Sequence, residues 1–223
     1  TLFALSGVLV LAWFAPSREE DRPLALGALV LIPPVVLGAV FGAPAALSLA
    51  LLVAGAWASA RGRPVAAGVL VGVATAVDAA AWVAAPFLLL PLRDRDRALW
   101  RRGLVAAAVA FGLLCLPSVL LDAGAFLAAL SRAPDLSPGL GLMNAVLYRG
   151  AEDEPATRAL LACVPLVAVA AVLGLLRLHR RIHPAAAAAL AVLLLLFLQP
   201  GTTPEAIALP IGLLALHPLA LRT

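Results

Sequence analysis

The sequence predicts an all-α integral membrane protein. It is a polytopic bundle of about eight or nine membrane helices, each needing about 20 residues, with a short-helix hairpin around Asp78. Three observations carry that reading. Hydrophobic residues make up 64% of the 223, and charged residues only 13%. A soluble domain carries about 25% charged residues, enough to cover its surface with water-seeking groups. Mean hydropathy is +1.07. Finally, the polar residues are gathered into short breaks between apolar runs, which is how a bilayer partitions a chain.

The runs follow in order. Residues 2–15 read as a first helix, ended by Ser17-Arg18-Glu19-Glu20-Asp21-Arg22. Residues 24–41 are a second span, interrupted by Pro33-Pro34. Residues 45–60 are a third, closed by Arg61-Gly62-Arg63-Pro64. Residues 65–92 form one long apolar stretch with Asp78 at its centre. The densest charge run follows, Arg93-Asp94-Arg95-Asp96-Arg97 with Arg101 and Arg102. Residues 104–121 are a further span, and 122–157 a longer mixed segment. Residues 159–176 are a span closed by Arg177, His179, Arg180, Arg181 and His183. Residues 185–198 and 206–221 end the chain on either side of Gln199–Glu205. The chain opens at Thr1 inside an apolar run, so we expect an N-terminally truncated fragment of one transmembrane domain, residues 1–223.

Charge sets the orientation. Every one of the 16 basic residues is Arg. That choice, with the abundance of Ala, Leu, Gly and Pro, points to a GC-rich bacterial genome. Cytoplasmic loops carry the excess of positive charge, so the loops at 93–102 and 177–183 are placed in the cytoplasm. Residues 61–63 then belong on the same side, which requires residues 65–92 to cross an even number of times. One straight helix of 28 residues would be about 42 Å long and would separate the two Arg clusters. A hairpin of two short, partly penetrating helices keeps them together and puts Asp78 near its outward tip. Gly68, Gly72 and the many Ala residues allow close helix packing there. Segments 122–157 and 199–205 become extracytoplasmic, in a bacterial plasma membrane. The net charge of +4 orients a membrane protein and is no sign of nucleic acid.

Several chemistries are excluded. No Walker-type phosphate loop, nucleophilic serine motif or nucleic-acid signature is present. Cys115 and Cys163 lie in apolar runs without metal spacing, and read as small hydrophobes. His179 and His183 stand four apart but are followed at once by Pro184. Glu152-Asp153-Glu154 carries oxygen ligands that suit a divalent cation, yet reads as a solvated acidic loop entering a helix at Pro155. No metal site and no cofactor are expected.

A resemblance emerges on two stretches. The first runs Ala60-Arg61-Gly62-Arg63-Pro64-Val65-Ala66-Ala67-Gly68-Val69-Leu70-Val71-Gly72-Val73-Ala74 and continues to Pro86-Phe87-Leu88-Leu89-Leu90-Pro91. The second is Leu31-Ile32-Pro33-Pro34-Val35-Val36-Leu37-Gly38. Both resemble the GT-C superfamily of membrane glycosyltransferases that use polyprenyl-phosphate sugars, in its actinobacterial mannosyltransferase-like branch and its C-terminal part. Useful detail spans residues 24 to 121. The resemblance implies transfer of a mannose-like hexose from a polyprenyl-phosphate donor to an extracytoplasmic glycan or glycolipid acceptor, with the bilayer as the third partner. It also implies a main catalytic carboxylate upstream of Thr1. The chain departs from the pattern at Asp78, where relatives carry Lys or another polar group, and at Gly42-Ala43-Pro44, where an acidic residue is common.

Such a transfer needs a base for the acceptor hydroxyl and cations for the departing phosphate. The candidate catalytic acids are Asp78 and Glu205. An ionisable group at membrane depth is costly and by default functional. Asp78 also reads as a helix cap, and Glu205, after Pro204, as an acid in a helix first turn. Arg132 and Arg149 are the candidate phosphate ligands, and alternatively pair with Asp135 or residues 152–154. Tyr148 could stack on sugar or anchor at the interface. Two other functional classes stay open. A transporter or flippase component would show several midplane charges and a repeat. A degenerate, non-catalytic membrane protein would keep the fold alone.

Overall fold

The computed structural model describes residues 44–78, 80–126, 163, 167, 169–177, 184–198, 207 and 209–214. Six helices are defined in this part of the chain. In order they are α1 (Pro44–Ala60), α2 (Pro64–Val77), α3 (Ala81–Leu88), α4 (Leu90–Arg95), α5 (Arg97–Leu121) and α6 (Pro184–Leu198). Spans read at residues 2–15 and 24–41, and the segment from 127 to 162, lie outside the described residues. No strand occurs among the described residues.

The stretch 65–92 is a hairpin, as its flanking arginines required. α2 starts on Pro64, whose fixed φ suits a first turn and whose missing N–H has no helical partner there anyway. It stops at Asp78, which adopts an extended backbone at φ −142° and ψ 123°. The chain then reverses into α3. Pro86 removes a backbone donor inside α3, the helix ends at Leu88, and α4 restarts with Pro91 in its first turn. The two ends of the hairpin meet. Arg95 Nη2 donates to the carbonyl of Ala60 at 2.5 Å. Gly62 turns the chain at φ +70°, and a Cβ there would lie 2.7 Å from Arg95 Nη1. A glycine is therefore needed both for the positive φ and for the space. α2, with 14 residues, is about 21 Å long, short of the roughly 30 Å hydrocarbon core.

α5 is the helix, among the described residues, long and apolar enough to cross a membrane. Its 25 residues extend about 37 Å. It begins seven residues before the span read at 104–121, so Arg97, Arg101 and Arg102 ride on its first turns rather than in a loop. The reason is local: Asp96 is its N-cap, and the carboxylate accepts from the Ala98 amide at 2.9 Å.

α2 and α5 run parallel and close. A Cβ on Gly68 would collide with the Gly103 carbonyl and lie 2.8 Å from the Ala106 Cβ. A Cβ on Gly72 would collide with the Ala107 carbonyl and lie 2.9 Å from its Cα. Small residues four apart on one helix thus face small residues four apart on the other, the arrangement that lets backbones touch in lipid. α1 packs on the other side of α2, and α3 packs on α6. Phe87, Leu88, Leu49, Leu52, Val71, Val192 and Leu209 are fully or almost fully buried in the core these helices share. Outward, α5 presents Val105, Val109, Leu113, Leu120 and Leu121, a surface that only an apolar medium would cover without cost.

Candidate functional site

The hairpin positions Asp78. Gly68 opposes Gly103, and Gly72 opposes Ala107, a constant offset that brings Asp78 level with Leu113 on α5. At 1.5 Å per residue, that is about 17 Å beyond Arg102 and about 12 Å short of Leu121. The tip is pinned at this depth by Trp82, whose ring meets Phe111 edge-on, with centroids 4.7 Å apart and planes at 80°. Asp78 therefore stands beside the middle turns of α5 rather than at the far end of that helix. It is half-buried.

Its bonding is local. The backbone N–H closes α2 on the Ala74 carbonyl at 3.0 Å, and the backbone carbonyl accepts from Ala81 at 3.1 Å. Oδ1 accepts from the Ala80 amide at 2.9 Å. This is an Asx turn, in which the side chain stands in for a backbone acceptor, and it serves the entry of α3. Among the described residues, Oδ2 takes no hydrogen bond. One oxygen thus shapes the turn while the other is free to accept a proton or a donor. One turn earlier, the Thr75 hydroxyl is occupied by the Gly72 carbonyl at 2.8 Å.

The opposite end of the hairpin carries the cations. The Arg61 guanidinium lies 3.8 Å from the Trp57 ring centroid, with Arg63 6.0 Å from the same ring. Arg93 lies 5.9 Å from Trp100. Arginine stacked on tryptophan at a membrane edge gains from the ring quadrupole and keeps its charge in water. Sequence reading missed this pairing of tryptophan with arginine, although the i, i+4 spacing of Trp57 and Arg61 is a legible signal.

The other candidate residues are not brought to Asp78 by any described contact. Glu205, Arg132, Arg149 and Tyr148 lie outside the described residues, as do His179, His183 and the acidic run 152–154. Among the described residues, no group of three or more His, Cys, Asp or Glu is arranged to hold a metal. Cys115 and Cys163 are free thiols.

No curated protein and no solved structure matches the chain. The family described as Glycosyltransferase family 87 matches residues 1–200. That family is of GT-C type, and its members are membrane proteins. With its match covering most of these 223 residues, the chain belongs to glycosyltransferase family 87.

Proposed function

We propose that the protein transfers a mannose-like hexose from a polyprenyl-phosphate donor to an extracytoplasmic glycan or glycolipid acceptor in a bacterial plasma membrane. The single observation that supports this beyond family membership is the placement of Asp78. A carboxylate is held at membrane depth by the tip of a hairpin, with one oxygen tied to the Ala80 amide and the other available. In this reading the arginine loops face the cytoplasm, and segments 122–157 and 199–205 face outward. The acceptor hydroxyl loses its proton to a carboxylate, Asp78 or Glu205 or one supplied upstream of Thr1. Its oxygen bonds to the sugar's anomeric carbon as the bond to phosphate breaks. The phosphate departs with that electron pair, and Arg132 and Arg149 offset its charge by paired N–H contacts. Tyr148 stacks on the sugar. General-base assistance of this kind contributes roughly 10²- to 10⁴-fold.

A second reading has a specific observation behind it. The Asx turn at Asp78 is enough to explain an aspartate at that position, with catalysis placed elsewhere. The test is transfer in membrane vesicles from cells making the protein. Radiolabelled polyprenyl-phosphate mannose should label an acceptor in these vesicles and not in vesicles lacking the protein. Labelling from a nucleotide sugar in the absence of the lipid-linked donor would sink the donor assignment.

A further inference from the structure

An open groove of about 580 Å³ runs along the outer face of the α2–α5 pair. Val65 and Val69 of α2 form one wall, and Val105, Val109 and Leu113 of α5 the other. Four of these side chains are more than half exposed, with Val105 at 63% and Leu113 at 64%. Arg101 and Arg102 line the same groove at its end nearest the hairpin base, and both are exposed. The groove exists because Gly68 and Gly72 draw α2 tight against Gly103 and Ala107. Small residues at the contact leave the flanking valines standing as ridges on either side of a trough.

We propose that this groove is a binding site for one anionic glycerophospholipid of the leaflet on the arginine-rich side. Its phosphate lies on Arg101 and Arg102, and one acyl chain lies between the valine walls. Two matches favour this occupant. The first is length: Arg101 to Leu113 along α5 is about 18 Å, close to the roughly 15 Å that half a 30 Å hydrocarbon core provides for one chain. The second is charge complementarity. Adjacent guanidiniums at the mouth of an otherwise apolar trough suit a phosphate headgroup, and arginines beside a membrane attract anionic lipid at about 1 kcal/mol each. The acid nearest in sequence, Asp96, already holds the Ala98 amide. A helix of another copy would match the apolar walls but would set its own polar end against the arginines only by coincidence. The site goes beyond sugar transfer and does not depend on that reading: the arginines that would hold its headgroup lie about 17 Å along α5 from the level of Asp78.

The test is native mass spectrometry of the detergent-purified protein, delipidated and then offered equal amounts of phosphatidylglycerol and phosphatidylcholine. The wild type should retain one phosphatidylglycerol in preference. R101Q/R102Q should lower that preference roughly 25-fold, the factor that two such attractions combine to give. V109W, which fills the trough from an exposed position, should abolish retention. R177Q removes an exposed charge from another helix and should leave retention unchanged; an equal loss there would reduce the effect to general charge and overturn the proposal. Equal retention of both lipids, retention by V109W, or a mass of two chains in place of chain plus lipid would each overturn it as well. Circular dichroism of each variant keeps misfolding separate from lost binding.

Discussion

Asp78→Asn should reduce sugar transfer by roughly 10²- to 10⁴-fold and leave the fold intact. The substitution is chosen because the two roles of this residue separate on it. Asparagine keeps a side-chain oxygen for the Ala80 amide and ranks with aspartate as a cap. The Asx turn that lets α2 stop and α3 begin therefore survives. What asparagine cannot do is accept and carry a proton at Oδ2. Asp78→Ala removes both properties and should cost about 1 kcal/mol of stability in addition. The pair is read by transfer assay and by thermal unfolding in detergent. An Asp78→Asn protein with full activity, next to an Asp78→Ala protein that is destabilised, would mean that the residue is a cap and that the base lies elsewhere.

Close approach of α2 and α5 predicts a second large effect. Gly68→Ala/Gly72→Ala should lower stability by about 2–6 kcal/mol, the overpacking cost of one to three per site. The added methyl groups meet backbone rather than flexible side chains: the Gly103 carbonyl at one site, and the Ala107 carbonyl and Cα at the other. Neither can swing aside without moving a helix. The same substitution at Gly112 and Gly174 meets nothing within 4 Å, and there the better helix propensity of alanine should leave stability unchanged or raised. The contrast is measured by thermal unfolding of the three variants side by side. Transfer should fall with the double variant, because α2 carries Asp78 and α5 carries the Phe111 ring that braces its neighbour Trp82. Equal behaviour of buried and open glycines would contradict the parallel α2–α5 contact.

How much of this was legible in the sequence differs from element to element. The hairpin was, because arginines flank both ends of a 28-residue apolar stretch and one aspartate interrupts its middle. Charge bias demanded an even number of crossings, and the aspartate marked the place to turn. The small residues of α2 were visible too. Their partners, Gly103 and Ala107, were not picked out, since a four-residue spacing on one helix carries no record of which helix it meets. The start of α5 was misread because an arginine-dense run looks like a loop. Arginine is a good helix former, and a single capping aspartate at position 96 was enough to begin the helix there. Asp78 stood out by the cost of a charge at membrane depth, whereas its depth beside Leu113 needed the α2–α5 register. Glu205, Arg132, Arg149 and Tyr148 were proposed from residue type and predicted side alone. Hydropathy ranks segments by their affinity for lipid and says nothing of which loops converge.

Everything proposed for Asp78 rests on the return of the chain at that residue, which leaves Arg63 and Asp94 on one side of the membrane. In a background with Cys115 and Cys163 replaced by alanine, Arg63→Cys and Asp94→Cys can each be probed in intact cells with an impermeant thiol reagent, before and after permeabilisation. The hairpin predicts the same outcome for both positions, protected in intact cells and labelled once the membrane is opened. Labelling of one from outside and the other only from inside would make residues 64–92 a single crossing, and would contradict the account.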